Sequence, residues 1–230
     1  MFLTDMKAVT YADEGYRYIT DLTLPRIRSH FEKQALPLTV YSDKVDHSLD
    51  VFWNRIPIIQ RELCGTDYLI WTDTDIVYYR VFDWQWYVKT SPTQTNIWIS
   101  GETKPTRPDV CCGFMIFRGC QWTYDFLQTW KFLGPMRDAK IGVYSDWNRR
   151  EQETFNILWD WFDSVNSHVQ RIDEDIVSNP ISTEIHQQNA PLWHFWGRNY
   201  LDKALKILGG LAEREGSGPE NHGLGKTSAG

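Results

Sequence analysis

The stretch Asp67-Tyr-Leu-Ile-Trp-Thr-Asp-Thr-Asp75, followed directly by Ile76-Val-Tyr-Tyr79, decides the reading of this chain. Tyr68 to Trp71 is a short apolar run of strand length, and such a run predicts a strand buried on both faces. Two aspartates follow it. In extended geometry Asp73 and Asp75 share one side while Thr74 points away. Between two apolar runs these carboxylates are costly unless paired or bound to a cation. Together they can hold one hard divalent ion through oxygen ligands. The ordinary alternative is a polar turn capping the next segment, since aspartate is common in turns.

Toward the N-terminus the pattern repeats. Ala8 to Tyr11 reads as a strand ending at Ala12-Asp13-Glu14-Gly15. A helix with Ile19, Leu22, Ile27 and Phe31 on its apolar face follows, and Pro25 should kink or divide it. Leu38 to Tyr41 reads as a second strand closed by Ser42-Asp43. From Leu49 to Leu63 the spacing of Leu49, Phe52, Trp53, Ile56 and Ile59 predicts another helix. Strand, helix, strand, helix, strand is the order of a doubly wound α/β unit with a mostly parallel sheet flanked by helices. Ligands of such sheets collect beyond the carboxyl ends of the strands. Asp13, Asp43 and the Asp73/Asp75 pair all fall there, on one rim.

Toward the C-terminus, Asn96 to Ser100 predicts a strand, Gly101 to Pro108 a loop and Gly113 to Phe117 a strong strand. Helical spacing covers Trp122 to Leu133, and a further helix runs from near Asn148 through Phe162. Pro191 to Trp196 is a short apolar segment carrying His194, and Tyr200 to Leu208 a closing helix. Residues 1–212 therefore read as one catalytic domain. Residues 213–230, polar and Gly- and Ser-containing, read as a flexible tail or a linker to a further domain.

Composition narrows the classes. A chain of 230 residues can bury one substantial core without disulfides or structural metal. Its 12 Trp, 11 Tyr and 11 Phe are assigned mostly to that core, with some rings left to line a cleft. The net charge of -6, without a basic run interleaved with aromatics, argues against a long nucleic-acid partner. An acidic protein can still bind a small phosphorylated ligand when a divalent cation neutralises the contact. Cys64, Cys111, Cys112 and Cys120 lack zinc-site spacing, and adjacent Cys111 and Cys112 would face opposite sides of a strand. Few cysteines, no apolar signal segment and no stretch of transmembrane length lead to the expectation of a reducing, cytoplasmic location.

Five segments in order resemble the GT-A class of nucleotide-sugar-dependent glycosyltransferases, especially compact members related to glycogenin, bacterial galactosyltransferases and plant xylosyltransferases. They are Val9-Thr-Tyr-Ala-Asp13, Tyr68-Leu-Ile-Trp-Thr-Asp-Thr-Asp75, Cys112-Gly-Phe-Met-Ile-Phe-Arg118, Glu151-Gln-Glu-Thr-Phe-Asn156 and His194-Phe-Trp-Gly-Arg198. The second matches the family's hydrophobic strand plus DxD motif. The resemblance implies Asp73, Asp75 and His194 as ligands of Mn2+ or Mg2+, and Arg198 at the phosphates. It implies Asp13 at the nucleoside, Arg55 near the donor, and Glu151 or Gln152 near sugar and acceptor; beside Asp13, Tyr11 or Tyr16 can stack on the base or pack in the core. A UDP-sugar is the implied donor, and a glycan or small hydroxyl compound the acceptor. The third segment departs from the family, which usually opens that strand with a small or amide residue before the glycine.

Each residue also has an ordinary reading. Asp13 can cap a strand end, His194 can be a packed core histidine, and Arg55 can be a solvated helix residue. Glu151 can simply favour a helix start. For an inverting reaction Glu151 is the first choice as general base and Asp109 the second. For a retaining one Gln152 positions the donor and no strong base is needed. Trp84, Trp86 and Trp98 fall in the irregular middle, as acceptor contacts or loop anchors. A haloacid-dehalogenase-like hydrolase is disfavoured, because Val77 stands where its motif needs Thr. A nucleotidyltransferase shares the nucleotide-metal logic but typically has an early Gly-rich phosphate loop. A carbohydrate-binding domain would account for the aromatics but not for the order of the charged residues.

Overall fold

The computed structural model describes residues 5–103, 108–140, 150–178 and 190–195, which belong to one compact unit, Met1–Trp196. Among the described residues, nine strands lie in two sheets. The larger uses β1 (Met6–Tyr11), β2 (Leu38–Tyr41), β3 (Tyr68–Thr72), β5 (Ile97–Thr103), β6 (Pro108–Arg118) and β7 (Val169–Ile172), in the order β2-β1-β3-β6-β5-β7. β6 is antiparallel to both its neighbours, and the other pairings are parallel. The sheet is therefore mostly parallel, with β6 reversed in its middle. The smaller sheet has the order β4-β9-β8, from β4 (Ile76–Tyr78), β8 (Val177–Ser178) and β9 (Leu192–His194). The helices are α1 (Arg17–Glu32), α2 (Arg55–Leu63), α3 (Trp84–Thr90), α4 (Gln121–Lys140), α5 (Arg150–Trp161) and α6 (Asp163–Asn166).

The central strands are apolar on both faces, and each successive side chain enters a different layer. Val9, Leu69, Trp71, Ile97, Ile99, Met115 and Phe117 pack with Ile56, Ile59, Phe126, Trp130 and Phe155, from α2, α4 and α5. Ala8, Ile70, Trp98, Phe114 and Ile116 pack on the other side with Ile27 and Phe31 of α1, Trp84 of α3 and Leu192 of β9. Trp71, Trp84, Trp98 and Trp130 are among the largest fully buried side chains. Much of the described aromatic content is thus buried in the core or packed against it. Trp84 and Trp98, read from the sequence as candidate acceptor contacts, belong to it; Trp84 Nε1 donates to His30 and Trp98 Nε1 to Ser91. Trp86 is exposed.

Several sequence expectations are corrected. Pro25 does not divide α1. Pro25 and the residue four before it, Asp21, both lie on the exposed face, where water can reach the carbonyl that proline leaves without its N–H partner. Leu22, expected on the buried face, is exposed. Gly101 to Pro108 is not all loop, because β5 runs on to Thr103 and β6 begins at Pro108. After a register shift at Ile99/Ser100 the two strands pair through Thr103↔Pro108. Proline is tolerated as the first residue of a strand. The Leu49–Leu63 helix is shorter, a 3-10 turn at Phe52–Asn54 leading into α2. The closing helix at 200–208, the boundary at 212/213 and Arg198 lie outside the described residues. Among the described residues no helix is long and apolar enough to cross a membrane.

Candidate functional site

β1, β2 and β3 run parallel, with Tyr11 opposite Tyr41 and Val9 opposite Trp71. Asp13, Asp43 and Asp73 consequently leave the sheet on the same rim, as the alternation of strands and helices predicted. Directly after β3 the chain turns, with Ile76 N–H donating to Asp73 O at 3.4 Å, and returns as β4. Thr74 is buried and its carbonyl accepts from Thr23 of α1, so the two aspartates flank an anchored residue.

His194 arrives from far along the chain. β9 pairs antiparallel with β4, placing His194 opposite Ile76, and Phe195 N–H donates to Asp75 O at 3.0 Å. This backbone pairing sets His194 Nε2 3.2 Å from Asp75 Oδ1. One ligand atom from each of Asp73, Asp75 and His194 falls within 4.8 Å of the others. Gly113 makes room for the ring: a Cβ built there would lie 2.6 Å from His194 Nε2. On the far side of the imidazole, Cys111 Sγ sits 3.2 Å from Nδ1.

Asp73 is held from the other layer. Trp71 Nε1 donates to Asp73 Oδ1 at 2.8 Å, and Arg55 Nη2 reaches Asp73 Oδ2 at 3.3 Å. The same Nη2 lies 3.3 Å from Glu151 Oε1, while Arg55 Nη1 donates to Cys112 O at 2.6 Å. The guanidinium also stands over the Trp71 ring, 5.4 Å from its centroid. Arg55 is therefore not the solvated helix residue of the ordinary reading. It is buried, and it joins the Asp73–Asp75 turn to the first turn of α5.

Burial pushes the Asp73 carboxyl up to about 6; Arg55 and His194 pull it down, and the neighbouring Asp75 charge pushes it up. Burial acts to lower the His194 pKa. Cys111 and Asp75, against its two ring nitrogens, outweigh that and hold it well above its ordinary value. Among the described residues, buried Asp75 Oδ1 has no well-aligned hydrogen-bond donor, although His194 Nε2 is 3.2 Å away. Two carboxylates and one imidazole, with one ligand atom each within 4.8 Å of the others, fit a hard divalent cation.

The other sequence candidates lie as follows. Asp13 is half-buried and its Oδ1 accepts from Gly15 N–H at 2.8 Å, capping a short 3-10 turn. Tyr11, at the end of β1, has its phenol pKa raised by burial and by Asp13 and Asp43. Glu151 is buried against Arg55, and Gln152 follows it on the first turn of α5. Asp109 lies in β6 opposite Glu102, with its side chain outside what is described. Two residues that touch the centre were not singled out as functional. Cys111 was visible only as a departure from the family pattern. Gly113 carried the signal that an interior strand glycine often marks a close approach.

The sheet, its reversed sixth strand and the acidic rim define the class: the chain has the GT-A glycosyltransferase fold. A glycosyltransferase involved in the glycosylation of the major capsid of PBCV-1 superposes with a TM-score of 0.68 at 11% identity, over 88% of this chain and 99% of that one. The galactosyltransferase LgtC, solved with donor and acceptor sugar analogues, superposes with a TM-score of 0.57 at 11% identity, over 94% and 98%. GlyE of Streptococcus pneumoniae TIGR4 does so with 0.58 at 9% identity, over 93% and 64%. In sequence, galactomannan galactosyltransferase 1 of Cyamopsis tetragonoloba is 21% identical over 136 residues, half of this chain. The matched part is 27% of that protein's length. No family model matches the sequence.

Proposed function

We propose that this chain is a metal-dependent glycosyltransferase moving a sugar from a nucleotide-diphosphate donor, a UDP-sugar, to a hydroxyl of a glycan or small acceptor. The reading is carried by the meeting of Asp73, Asp75 and His194 within 4.8 Å on the ligand-binding rim of a GT-A sheet. Asp73, Asp75 and His194 would hold a Mn2+ or Mg2+ ion, which would supply positive charge for the leaving diphosphate. Asp73 and Asp75 bring oxygen donors, and His194 a nitrogen donor. Arg55 keeps Asp73 oriented and ionised. Tyr11 and Asp13 stand at the nucleoside end of the rim, and Arg198 is assigned to the phosphates.

Glu151 is committed to Arg55, so service as a general base would require Arg55 to release it. We assign Glu151 to anchoring Arg55, and Gln152 to positioning the donor. Asp109 remains the carboxylate to test first should the reaction invert. Four free thiols accord with a reducing compartment, and the protein is assigned to the cytoplasm. The carbohydrate-binding alternative loses its motive, because the tryptophans it would recruit are mostly core.

The experiment is a panel of nucleotide sugars assayed for hydrolysis with and without Mn2+, repeated with Asp75→Ala and His194→Ala. Metal-dependent turnover lost in both variants is expected. Nucleotide-diphosphate binding absent from the wild type would reject the activity, and turnover surviving both substitutions would reject the metal centre.

A further inference from the structure

The imidazole of His194 is held by several neighbours. Its backbone is fixed by the pairing of β9 with β4, one face rests against Gly113, and Nε2 looks toward Asp75. At the other ring nitrogen, Cys111 Sγ lies 3.2 Å from Nδ1. Both groups are buried. Cys111 is itself held firmly: its carbonyl accepts from Ser100 Oγ at 2.7 Å, and the preceding Val110 N–H donates to Asn156 Oδ1 at 3.1 Å. Cys112, one residue on, faces the opposite layer with Arg55 at its carbonyl. The two cysteines are therefore not interchangeable, and Cys111 alone addresses the metal centre.

A histidine can bind an ion through Nε2 only if the other ring nitrogen carries the proton, and that proton needs an acceptor. The acceptor is usually a carboxylate, a backbone carbonyl or water. Among the described residues, Cys111 Sγ is placed at Nδ1. We propose that Cys111 is a positioning residue of the proposed metal centre: its sulfur accepts the Nδ1–H hydrogen bond of His194 and so presents the Nε2 lone pair to an ion shared with Asp73 and Asp75. The inference rests on the metal reading above and adds to it the device that orients its nitrogen ligand. In the opposite arrangement the thiol donates to Nδ1, Nε2 carries the proton, and that nitrogen cannot coordinate.

The test measures the Mn2+ concentration that half-saturates UDP binding, by calorimetry, for wild type, Cys111→Ala and Cys111→Ser, with thermal melts alongside. Alanine removes the acceptor, and serine keeps one at nearly the same side-chain volume. The expected result is a half-saturating Mn2+ concentration raised about ten- to a hundredfold in Cys111→Ala and near wild type in Cys111→Ser. A packing role predicts that both variants weaken alike, and that outcome overturns the proposal. So does an alanine variant indistinguishable from wild type. Should Cys111→Ala fail to fold, Cys111→Ser decides, since loss of Mn2+ dependence there also overturns it. UDP binding indifferent to Mn2+ in the wild type would instead sink the metal reading, and it would be seen before any substitution is made.

Discussion

Gly113→Ala is the sharpest single perturbation of this molecule. The added Cβ would lie 2.6 Å from His194 Nε2, against the roughly 3.5 Å of an ordinary heavy-atom contact. One side must yield by about 1 Å. The Gly113 backbone is poorly placed to do so, because its carbonyl accepts from Asp73 N–H at 2.7 Å and the next residues pair with β3. The ring must therefore retreat from the aspartates. Metal–ligand distances tolerate only about 0.2 Å of error, so an ion would lose its nitrogen ligand. We expect Mn2+-dependent UDP binding to weaken at least tenfold, about 1.4 kcal/mol. Overpacking should cost the fold about 1–3 kcal/mol, with about 2–4 °C of melting temperature lost per kcal/mol in a chain of this size. Calorimetry and thermal denaturation read both effects. A variant that melts and binds like wild type would refute the placement of His194 over Gly113.

Three further outcomes follow from the packing. Arg55→Met leaves Glu151 buried without its cation and should cost about 3–5 kcal/mol in urea denaturation; adding Glu151→Gln should recover part of the loss, and strict additivity would argue against the pairing. His30 is buried between Trp84 and Tyr78, and burial lowers its pKa to about 4. The unfolded chain then binds more protons below about 6.5, so stability should fall with pH through that value, by about 2 kcal/mol at pH 5 and about 3 near pH 4. His30→Gln should flatten that slope, and an unchanged slope would assign the acid sensitivity elsewhere. On α1, Ile27→Ala should destabilise by about 2–5 kcal/mol while Leu22→Lys stays within about 0.5, as melts or urea titrations would register.

Local patterns carried much of the architecture. The apolar runs before Asp13 and Asp73 are strands because residues buried on both faces leave a near-continuous apolar signature, the edge strand before Asp43 is half-buried, and the rim all three share follows from parallel order alone. The Asp73/Asp75 pair was legible for the same reason: carboxylates beside a buried strand need a partner. Where the chain length or the solvent face decides, the sequence was a poorer guide. Pro25 reads as a break, yet its missing hydrogen bond falls on the wet side of α1. β7 and β8 are too short and mixed to announce themselves.

His194 shows the limit most clearly. From the residues alone it was one histidine among aromatics, and only the family resemblance suggested a ligand. Its meeting with Asp75 depends on β9 pairing beside β4 across more than a hundred residues of chain. Likewise no periodicity reveals that Arg55 turns inward to join Asp73 with Glu151, or that Cys111 rather than Cys112 backs the imidazole. Side-chain period and turn chemistry are properties of neighbours in sequence, and these were readable. Contacts between distant segments depend on register, on which a single-residue slip would exchange the two faces of a strand. The chemistry of this rim was therefore decided in three dimensions.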